Sequence, residues 1–277
     1  MPHSYWFGGL AVLALALLGY TLWKSRDGRL LVLHFCLGGL IDPLEYFILI
    51  LFPSYQYFSA ATGALWMDNL LGSICSNDFI VPAVAVAAAA FRLRVGWLLL
   101  LSVLFMAVEW LFLRLDLYGH FWWKTVYTGI GIFLLLLAGK WIWGVIQRGA
   151  TTVPFLFFYV FFVFLFVYGS CHIVQAHLLD VHDIRTGWFP DPLRDHIAVE
   201  ELIETFAAVI AAVAYFVRTP GKVAVLTLLL ALDAALLARK IIQVDNAEEL
   251  LFYVLLQLVS IFAVHAAVKY GTRRAVP

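Results

Sequence analysis

The sequence predicts an all-α protein, a polytopic bundle of transmembrane helices. Of its 277 residues, 64% are apolar and only 13% are charged, whereas soluble domains are close to half apolar and about a quarter charged. Apolar runs of about 20 residues, long enough to cross a bilayer as a helix, fill most of the chain. Lys and Arg cluster at alternate connections between these runs, as cytoplasmic loops do. Together these observations predict about nine spans, with eight as the alternative.

The predicted spans follow one another with short connections, at 5–23, 29–52, 70–91, 95–115, 124–146, 153–174, 199–217, 222–243 and 249–270. The first has no basic residue before it and no small-residue cleavage pattern after it, which favours a retained helix over a signal peptide. The third is interrupted by Asn77, Asp78 and Pro82, and this interruption is what leaves eight spans open. The eighth carries Asp233 at mid-depth.

Charge predicts the orientation in the membrane. If nine spans alternate, twelve of the eighteen basic residues fall on one side, and sixteen of the eighteen carboxylates fall on the other side or in its leaflet. This predicts a bacterial inner-membrane protein with its N-terminus outside and its C-terminus in the cytoplasm. The lipid bilayer is then its first partner. A net charge of zero gives no indication of a nucleic-acid partner, and the oligomeric state stays open.

The chain is predicted to divide into two unequal halves. Residues 1–148 form a five-span N-terminal half, and residues 149–277 form a four-span half with a long outer loop at 174–199. The sequence shows no convincing internal repeat. A Cys75–Cys171 disulfide on the outer face and packing as small apolar side chains are alternative interpretations of those two cysteines.

Acidic residues inside spans are the first candidate site. Asp42 and Glu45 are three positions apart, so they share one helix face, and Pro43 between them weakens the helix. An ionised acid at mid-membrane costs roughly 2.5–3.5 kcal/mol, so the pair needs a proton, a cation or water. Glu109 lies at similar depth in the fourth span. The alternative for these acids is hydrogen bonding between helices.

Polar residues near span boundaries extend this candidate site. His120 and Trp123 lie where the fourth connection is rich in aromatic residues, which fits an interfacial belt or the mouth of a ligand site. Asp68 and Asp78 precede apolar residues of the third span. They are interpreted either as N-caps or as oxygen ligands of a cation.

Histidines and carboxylates on the outer side suggest a divalent metal. His172, His177 and His182 are spaced by five, which is wrong for one helix face but compatible with a bent loop. His196, Glu200 and Glu204 are spaced by four, and this stripe supplies imidazole and carboxylate ligands. The candidate metal ligands are His172, His177, His196, Glu200 and Glu204. The alternative is an acidic helix N-terminus that complements the helix dipole.

Two family resemblances cover little over a third of the chain each. An Ile-Asp early in a span, Asp-Phe-x-x-Pro at Asp78–Pro82, and the Glu109 span that ends in Tyr118, His120, Trp122 and Trp123 resemble an uncharacterised family of small bacterial multi-pass membrane proteins. The order of elements is also similar to the EXPERA superfamily of sterol isomerases and sterol-binding membrane proteins, which implies a sterol-like ligand and an acid–base pair. That superfamily has a His four residues before a Glu, whereas Asp42 and Glu45 are three apart here and the third span has no Glu.

These observations predict a polar cavity that opens to the outer side. Its floor is formed by Asp42, Glu45 and Glu109, and its mouth by Asp68, Asp78, His120, His172 and Glu204. Three functions stay open: binding or transport of a cationic, metal or lipid-headgroup ligand; an enzyme that acts on a lipid-linked or sterol-like substrate with carboxylates as acid and base; and a non-catalytic assembly subunit whose polar residues hold helices together.

Overall fold

The predicted all-α membrane bundle is confirmed by a computed structural model, which describes residues 3–179 and 181–273. Over these residues nine long helices occur: α1 (His3–Ser25), α2 (Arg29–Leu51), α3 (Leu65–Ala90), α4 (Val95–Arg114), α5 (Thr125–Arg148), α6 (Val153–His177), α7 (Pro192–Phe216), α8 (Thr219–Ala238) and α9 (Ala247–Gly271). All except α7 are long and apolar enough to cross a membrane. Four short strands accompany them: β1 (Tyr55–Tyr57), β2 (Tyr118–His120), β3 (Asp183–Ile184) and β4 (Ile242–Gln243).

Helix α7 has the length of a span but a different composition. It is 25 residues long, but acidic residues in its first half make it less apolar than the eight helices that can cross a membrane. The predicted seventh span, 199–217, lies almost entirely within it, so the ninth crossing stays a prediction. All three cysteines of the chain are free thiols in the structure.

Local sequence signals fix the first residues of helices α6 and α7. Thr152 caps α6 by accepting a hydrogen bond from the backbone N–H of Phe155. Asp191 caps α7 by accepting from the N–H groups of Leu193 and Arg194, each at 3.0 Å. A proline occupies the first turn of both helices, where its missing N–H costs nothing. The long loop predicted at 174–199 therefore ends at Pro192, where α7 begins.

The chain forms two compact units, and the boundary between them lies at Thr151 and Thr152. Helices α1–α5 form the first unit and α6–α9 the second. Within the first unit, β1 and β2 pair antiparallel, with Tyr57 opposite Tyr118. Within the second unit, β3 and β4 pair antiparallel, with Ile184 opposite Ile242. Each strand pair ties together two connections of its own unit.

The two units repeat the same order of elements. The first unit reads α2–β1–α3–α4–β2–α5, and the second reads α6–β3–α7–α8–β4–α9. Helices α2 and α6 both end in a π-helical turn, at Tyr46–Leu51 and Val174–Leu178. The agreement covers every helix and strand except α1, which precedes the first repeat.

Hydrogen bonds repeat along with the elements. The N–H of Phe58 donates to the carbonyl of Leu117, and the N–H of Arg185 donates to the carbonyl of Ile241, both at 3.0 Å. The residue before each of these donors makes a second bond that repeats. The N–H of Tyr57 donates to Asn69 Oδ1 at 2.9 Å, and the N–H of Ile184 donates to His196 Nδ1 at 3.0 Å. The interval along the chain from Asn69 to His196 equals the interval from Tyr57 to Ile184. The chain thus contains an internal repeat, and the prediction that it has none was wrong.

A buried aspartate closes the loop after the first strand in each repeat. Asp68 is 8% exposed and accepts from the backbone N–H groups of Ala61, Thr62 and Gly63. Its counterpart Asp195 is 3% exposed. Four consecutive backbone N–H groups, from residues 186 to 189, donate to Asp195 at 2.7–3.1 Å. Both aspartates organise the loop that precedes their own helix.

Candidate functional site

The first unit contains a cavity of about 390 Å³. Most of its wall is apolar, with leucine and isoleucine side chains from α2 and α5. Aromatic rings narrow it, namely Phe7, Tyr55, Tyr57, Phe105, Phe112, Tyr118, Trp123 and Tyr127. The polar lining is confined to Glu45, Ser76, Asn77, Glu109 and Thr128 together with the tyrosine and tryptophan polar atoms. Among the described residues that line it, none is Lys, Arg or His.

Glu45 enters the cavity from the last α-helical turn of α2. The Tyr55 hydroxyl, on β1, donates to Glu45 Oε1. Ser73 Oγ, on α3, donates to Oε2 at 3.3 Å, and Asn77 Nδ2 donates in turn to Ser73 Oγ at 3.2 Å. Neutral donors thus hold the Glu45 carboxylate in place from two elements without neutralising it.

Glu109 enters the same cavity from α4. The Thr128 hydroxyl donates to Glu109 Oε2 and accepts from Trp123 Nε1 at 2.8 Å. His120 Nε2 lies 2.9 Å from Glu109 Oε1. The side chain of Glu109 is almost fully buried, at 8% exposed, whereas that of His120 is 19% exposed. The imidazole is therefore the more solvent-accessible partner of this pair.

The structure brings together only part of the predicted ligand site. Glu45, Glu109 and Trp123 line the cavity, and His120 contacts Glu109. Asp78 lies in the middle of α3, in the π-helical segment Ile74–Ile80, so its interpretation as an N-cap was wrong. It is close enough to Glu45 for their charges to interact.

The other two predicted ligand residues have different surroundings. Asp42 is not among the residues that line the cavity, although it shares α2 with Glu45. Asp68 directs its carboxylate at the 59–63 loop, where it also accepts from the hydroxyls of Ser59 and Thr62. These hydrogen bonds account for the buried charge of Asp68 without a bound cation.

Four histidines and two glutamates form a buried cluster in the second unit. His172, His182 and Glu200 place one ligand atom each within 4.8 Å of one another, and so do His177, His196 and Glu200. Glu200 Oε1 lies 3.1 Å from His172 Nδ1 and 3.1 Å from His182 Nε2. Glu200 Oε2 lies 3.2 Å from His196 Nε2. Glu200 is therefore the centre of the cluster.

The remaining predicted metal ligands lie at the edge of this centre. Glu204 Oε1 is 3.2 Å from His172 Nδ1. The His177 ring packs against that of His196, with centroids 5.1 Å apart. His177 lies in the π-helical turn Val174–Leu178. The ring of His182, on the segment before β3, lies with its centroid 5.3 Å from that of His172.

The cluster and the cavity floor occupy equivalent positions of the repeat. The interval along the chain is the same for five pairs of residues: Glu45 and His172, Tyr55 and His182, Asn69 and His196, Ser73 and Glu200, and Asn77 and Glu204. Both sites are thus built at the π-helical end of the first helix, the first strand and the second helix of their repeat. Apart from Glu45, the first unit has hydroxyls and amides where the second has imidazoles and carboxylates.

Sequence reasoning missed Tyr55, Thr128 and Asp183 as members of the two sites. The first two hold the cavity carboxylates, and Asp183 Oδ1 lies 3.1 Å from His196 Nδ1. The alternation of buried positions in β1 was the one signal available for Tyr55, but a three-residue strand is too short to show a period.

No family model matches this chain. No curated protein or solved structure matches it either. The two family resemblances of the sequence therefore stay expectations, and the interpretation of both sites rests on their own geometry.

Proposed function

We propose that the protein is a membrane receptor for an amphipathic ligand with a cationic head, which binds in the cavity of the first unit. The observation that carries the proposal is the pair of carboxylates, Glu45 and Glu109, in one aromatic cavity without a lining basic residue. An ionised carboxylate in an apolar setting needs a counter-charge. A ligand cation supplies it for Glu45, which is held by hydroxyls, and acts together with His120 on Glu109.

The aromatic lining of the cavity indicates which kind of cationic group the ligand carries. Tyr55, Tyr118 and Trp123 pack around the polar floor, with the Tyr55 ring centroid 5.2 Å from Tyr118 and 5.3 Å from Trp123. Aromatic faces attract ammonium groups by about 0.5–2 kcal/mol, and cages of such rings are used for quaternary ammonium ligands. We expect an amine or quaternary ammonium group here rather than a bare metal ion.

The apolar wall indicates the rest of the ligand. A volume of about 390 Å³ lies within the usual range for small-molecule pockets, about 300–1,000 Å³. Leucine and isoleucine side chains of α2 and α5 are part of the apolar wall, which suits an alkyl chain or a fused-ring skeleton. A lipid with an amine head has both parts.

The second candidate is an enzyme that moves protons on such a ligand. Glu45 is held by hydroxyls, whereas Glu109 also contacts an imidazole. Two carboxylates in unlike environments can serve as acid and base. Deuterium from D₂O should then appear in an unsaturated sterol incubated with the protein, and Glu45→Gln should stop its incorporation.

Ligand binding can be tested with matched amphiphiles. The purified protein is titrated with a dodecyl-trimethylammonium salt, dodecyl sulfate and a neutral dodecyl glycoside. We expect saturable binding of the ammonium probe alone. Glu45→Gln and Glu109→Gln should each weaken it by about 10- to 100-fold, because each removes a charge-assisted contact of about 1.5–3 kcal/mol.

Asp116→Asn is the control, since Asp116 lies on an exposed turn with a φ of +54° that asparagine tolerates. This variant should bind as the unaltered protein does. Equal affinity for all three probes, or full ammonium binding by both Gln variants, would refute the proposal.

We further propose the predicted sidedness, with the N-terminus outside an inner membrane. In a cysteine-free background, a cysteine at Ala64, between β1 and α3, should react with a membrane-impermeant maleimide in intact cells. A cysteine at Arg94, between α3 and α4, should react only after lysis. The opposite labelling pattern would mean that the basic loops are not cytoplasmic.

A further inference from the structure

We infer that His172, His182 and Glu200 of the second unit bind one Zn²⁺ ion, because their ligand atoms all lie within 4.8 Å of one another. This site is independent of the ligand cavity, since every residue in it belongs to α6, α7 and the segment between them. Two neutral imidazoles and one carboxylate form a donor set that zinc uses in proteins.

Interatomic distances among these three residues fit one ion. Metal–ligand bonds of about 2.0–2.2 Å place neighbouring ligand atoms about 3.3–3.6 Å apart in a tetrahedron. Glu200 Oε1 lies 3.1 Å from His172 Nδ1 and 3.1 Å from His182 Nε2. Glu204 lies beside the site, with its Oε1 3.2 Å from His172 Nδ1.

The imidazole of His172 shows that these contacts are not satisfied by hydrogen bonds alone. The residue is 0% exposed, and neither ring nitrogen has an aligned hydrogen bond within the described part of the chain. Nδ1 is nevertheless within 3.2 Å of two carboxylate oxygens. A buried polar atom without a partner costs about 1–3 kcal/mol, and a cation between these atoms removes that cost.

Burial of charge leads to the same conclusion. Glu200 and Glu204 are each 5% exposed and share His172 as a neighbour. Two carboxylates in such a setting are strongly destabilised unless cations balance them. One divalent ion balances both while leaving the histidines neutral, which is the form in which imidazole binds metal.

His196 positions Glu200 and is not a ligand. Its Nδ1 accepts from the backbone N–H of Ile184, so the proton is on Nε2, which faces Glu200 Oε2 at 3.2 Å. Asp183 also lies near Nδ1, but the bond from Ile184 takes precedence because the first unit makes the same bond with Asn69. Zinc cannot bind a nitrogen that carries a proton, which excludes a second ion at His177, His196 and Glu200.

A zinc site with three protein ligands keeps one position of the ion open. The ion would fasten the end of α6 and the segment before β3 to the first turns of α7. It is therefore expected to stabilise the second unit.

The test measures zinc in the full-length protein purified in detergent. We expect one zinc per chain by elemental analysis, and its loss in Glu200→Gln and in His182→Gln. Glu201→Gln, which removes the next carboxylate on α7, should retain it. Removal of zinc with a chelator should lower the melting temperature of the unaltered protein, and adding Zn²⁺ back should restore it.

His196→Asn tests the positioning role. Asparagine is the residue of the first unit at this position and can keep the bond from Ile184, but it no longer reaches Glu200. We expect zinc affinity to fall by roughly 10- to 100-fold, as for other residues that orient a ligand, with one ion per chain at saturation.

Cobalt provides a readout that does not depend on the folding of variants. Co²⁺ added to the zinc-depleted, unaltered protein should give the intense visible bands of a tetrahedral site. Three results would overturn the inference: no zinc and no gain in melting temperature on adding it, two ions per chain, or equal zinc loss in Glu201→Gln. Binding of the ammonium probe to zinc-depleted protein separates this inference from the proposed function, since either can fail alone.

Discussion

Replacing Asp195 by Ala is expected to lower the free energy of unfolding of the second unit by about 3 kcal/mol. The carboxylate is buried and receives four backbone N–H groups and the Thr186 hydroxyl. Hydrogen bonds to a charged group contribute about 1.5–3 kcal/mol each, and the donors left behind lose their partner. Part of this loss is recovered because the freed loop can reach water.

The measurement is thermal unfolding of the purified protein in detergent. Asp195→Asn should cost less than Asp195→Ala, because the amide keeps one acceptor oxygen. Asp68→Ala should produce a similar loss in the first unit, where the counterpart loop is held in the same way. Asp116→Asn, on an exposed turn, is the matched control. If Asp195→Ala melted with the control, the loop would not depend on this carboxylate.

Acidic pH should remove the stabilisation that the Asp195 carboxylate gives to the second unit. Burial by itself would raise the pKa of Asp195, but the N–H groups of Thr186, Gly187 and Phe189 lower it to about 2. In the unfolded chain an aspartate has a pKa of about 3.9. The contribution is therefore fully present above about pH 4 and is lost as the pH falls through 2. The difference in melting temperature between the unaltered protein and Asp195→Asn should shrink over that range.

The length of the apolar runs was enough to predict most of the helices. Predicted spans 29–52 and 95–115 correspond to α2 (Arg29–Leu51) and α4 (Val95–Arg114), because the first run ends just before Pro53 and the second ends at Arg114. The high cost of an acid in the membrane also identified Glu45 and Glu109, and both line one cavity. The same rule also selected Asp42, which does not line the cavity. Sharing a helix face with Glu45 does not determine which residues of other helices a side chain contacts.

The internal repeat could not be recognised from residue types. Glu45, Tyr55 and Ser73 correspond to His172, His182 and Glu200, so the chemistry at equivalent positions differs completely. What the units share is backbone hydrogen bonding and two loop aspartates, which no residue-by-residue comparison weighs. The metal cluster was recognised only in part, because His182 reaches it from the segment before β3, where helical spacing does not place a side chain.

Replacing Gly72 by Val is the second change with a large expected effect. A Cβ on Gly72 would lie 2.3 Å from Tyr57 Cβ and 2.7 Å from its Cγ, and both Cβ atoms are fixed by the backbone, so β1 or α3 must move. Overpacking of this kind costs typically 1–3 kcal/mol, and we expect the upper end here. Thermal unfolding measures the loss.

The second unit has a different pair of residues at these positions. Val199 and Ile184 take the places of Gly72 and Tyr57, and they pack in one buried apolar cluster. Isoleucine keeps the Cβ atom that a valine at position 72 would meet 2.3 Å away. Tyr57→Ile combined with Gly72→Val should therefore be no more stable than Gly72→Val alone.

The double-mutant cycle distinguishes a fixed spacing from an adjustable one. Tyr57→Ile alone should also destabilise, because it leaves a gap beside Gly72. Since the Cβ clash persists in the double variant, we expect no favourable coupling, and the double variant should be the least stable of the three. A favourable coupling of about 1–2 kcal/mol, within the range for residues in contact, would mean that β1 and α3 can move apart while the N–H of Tyr57 keeps its bond to Asn69.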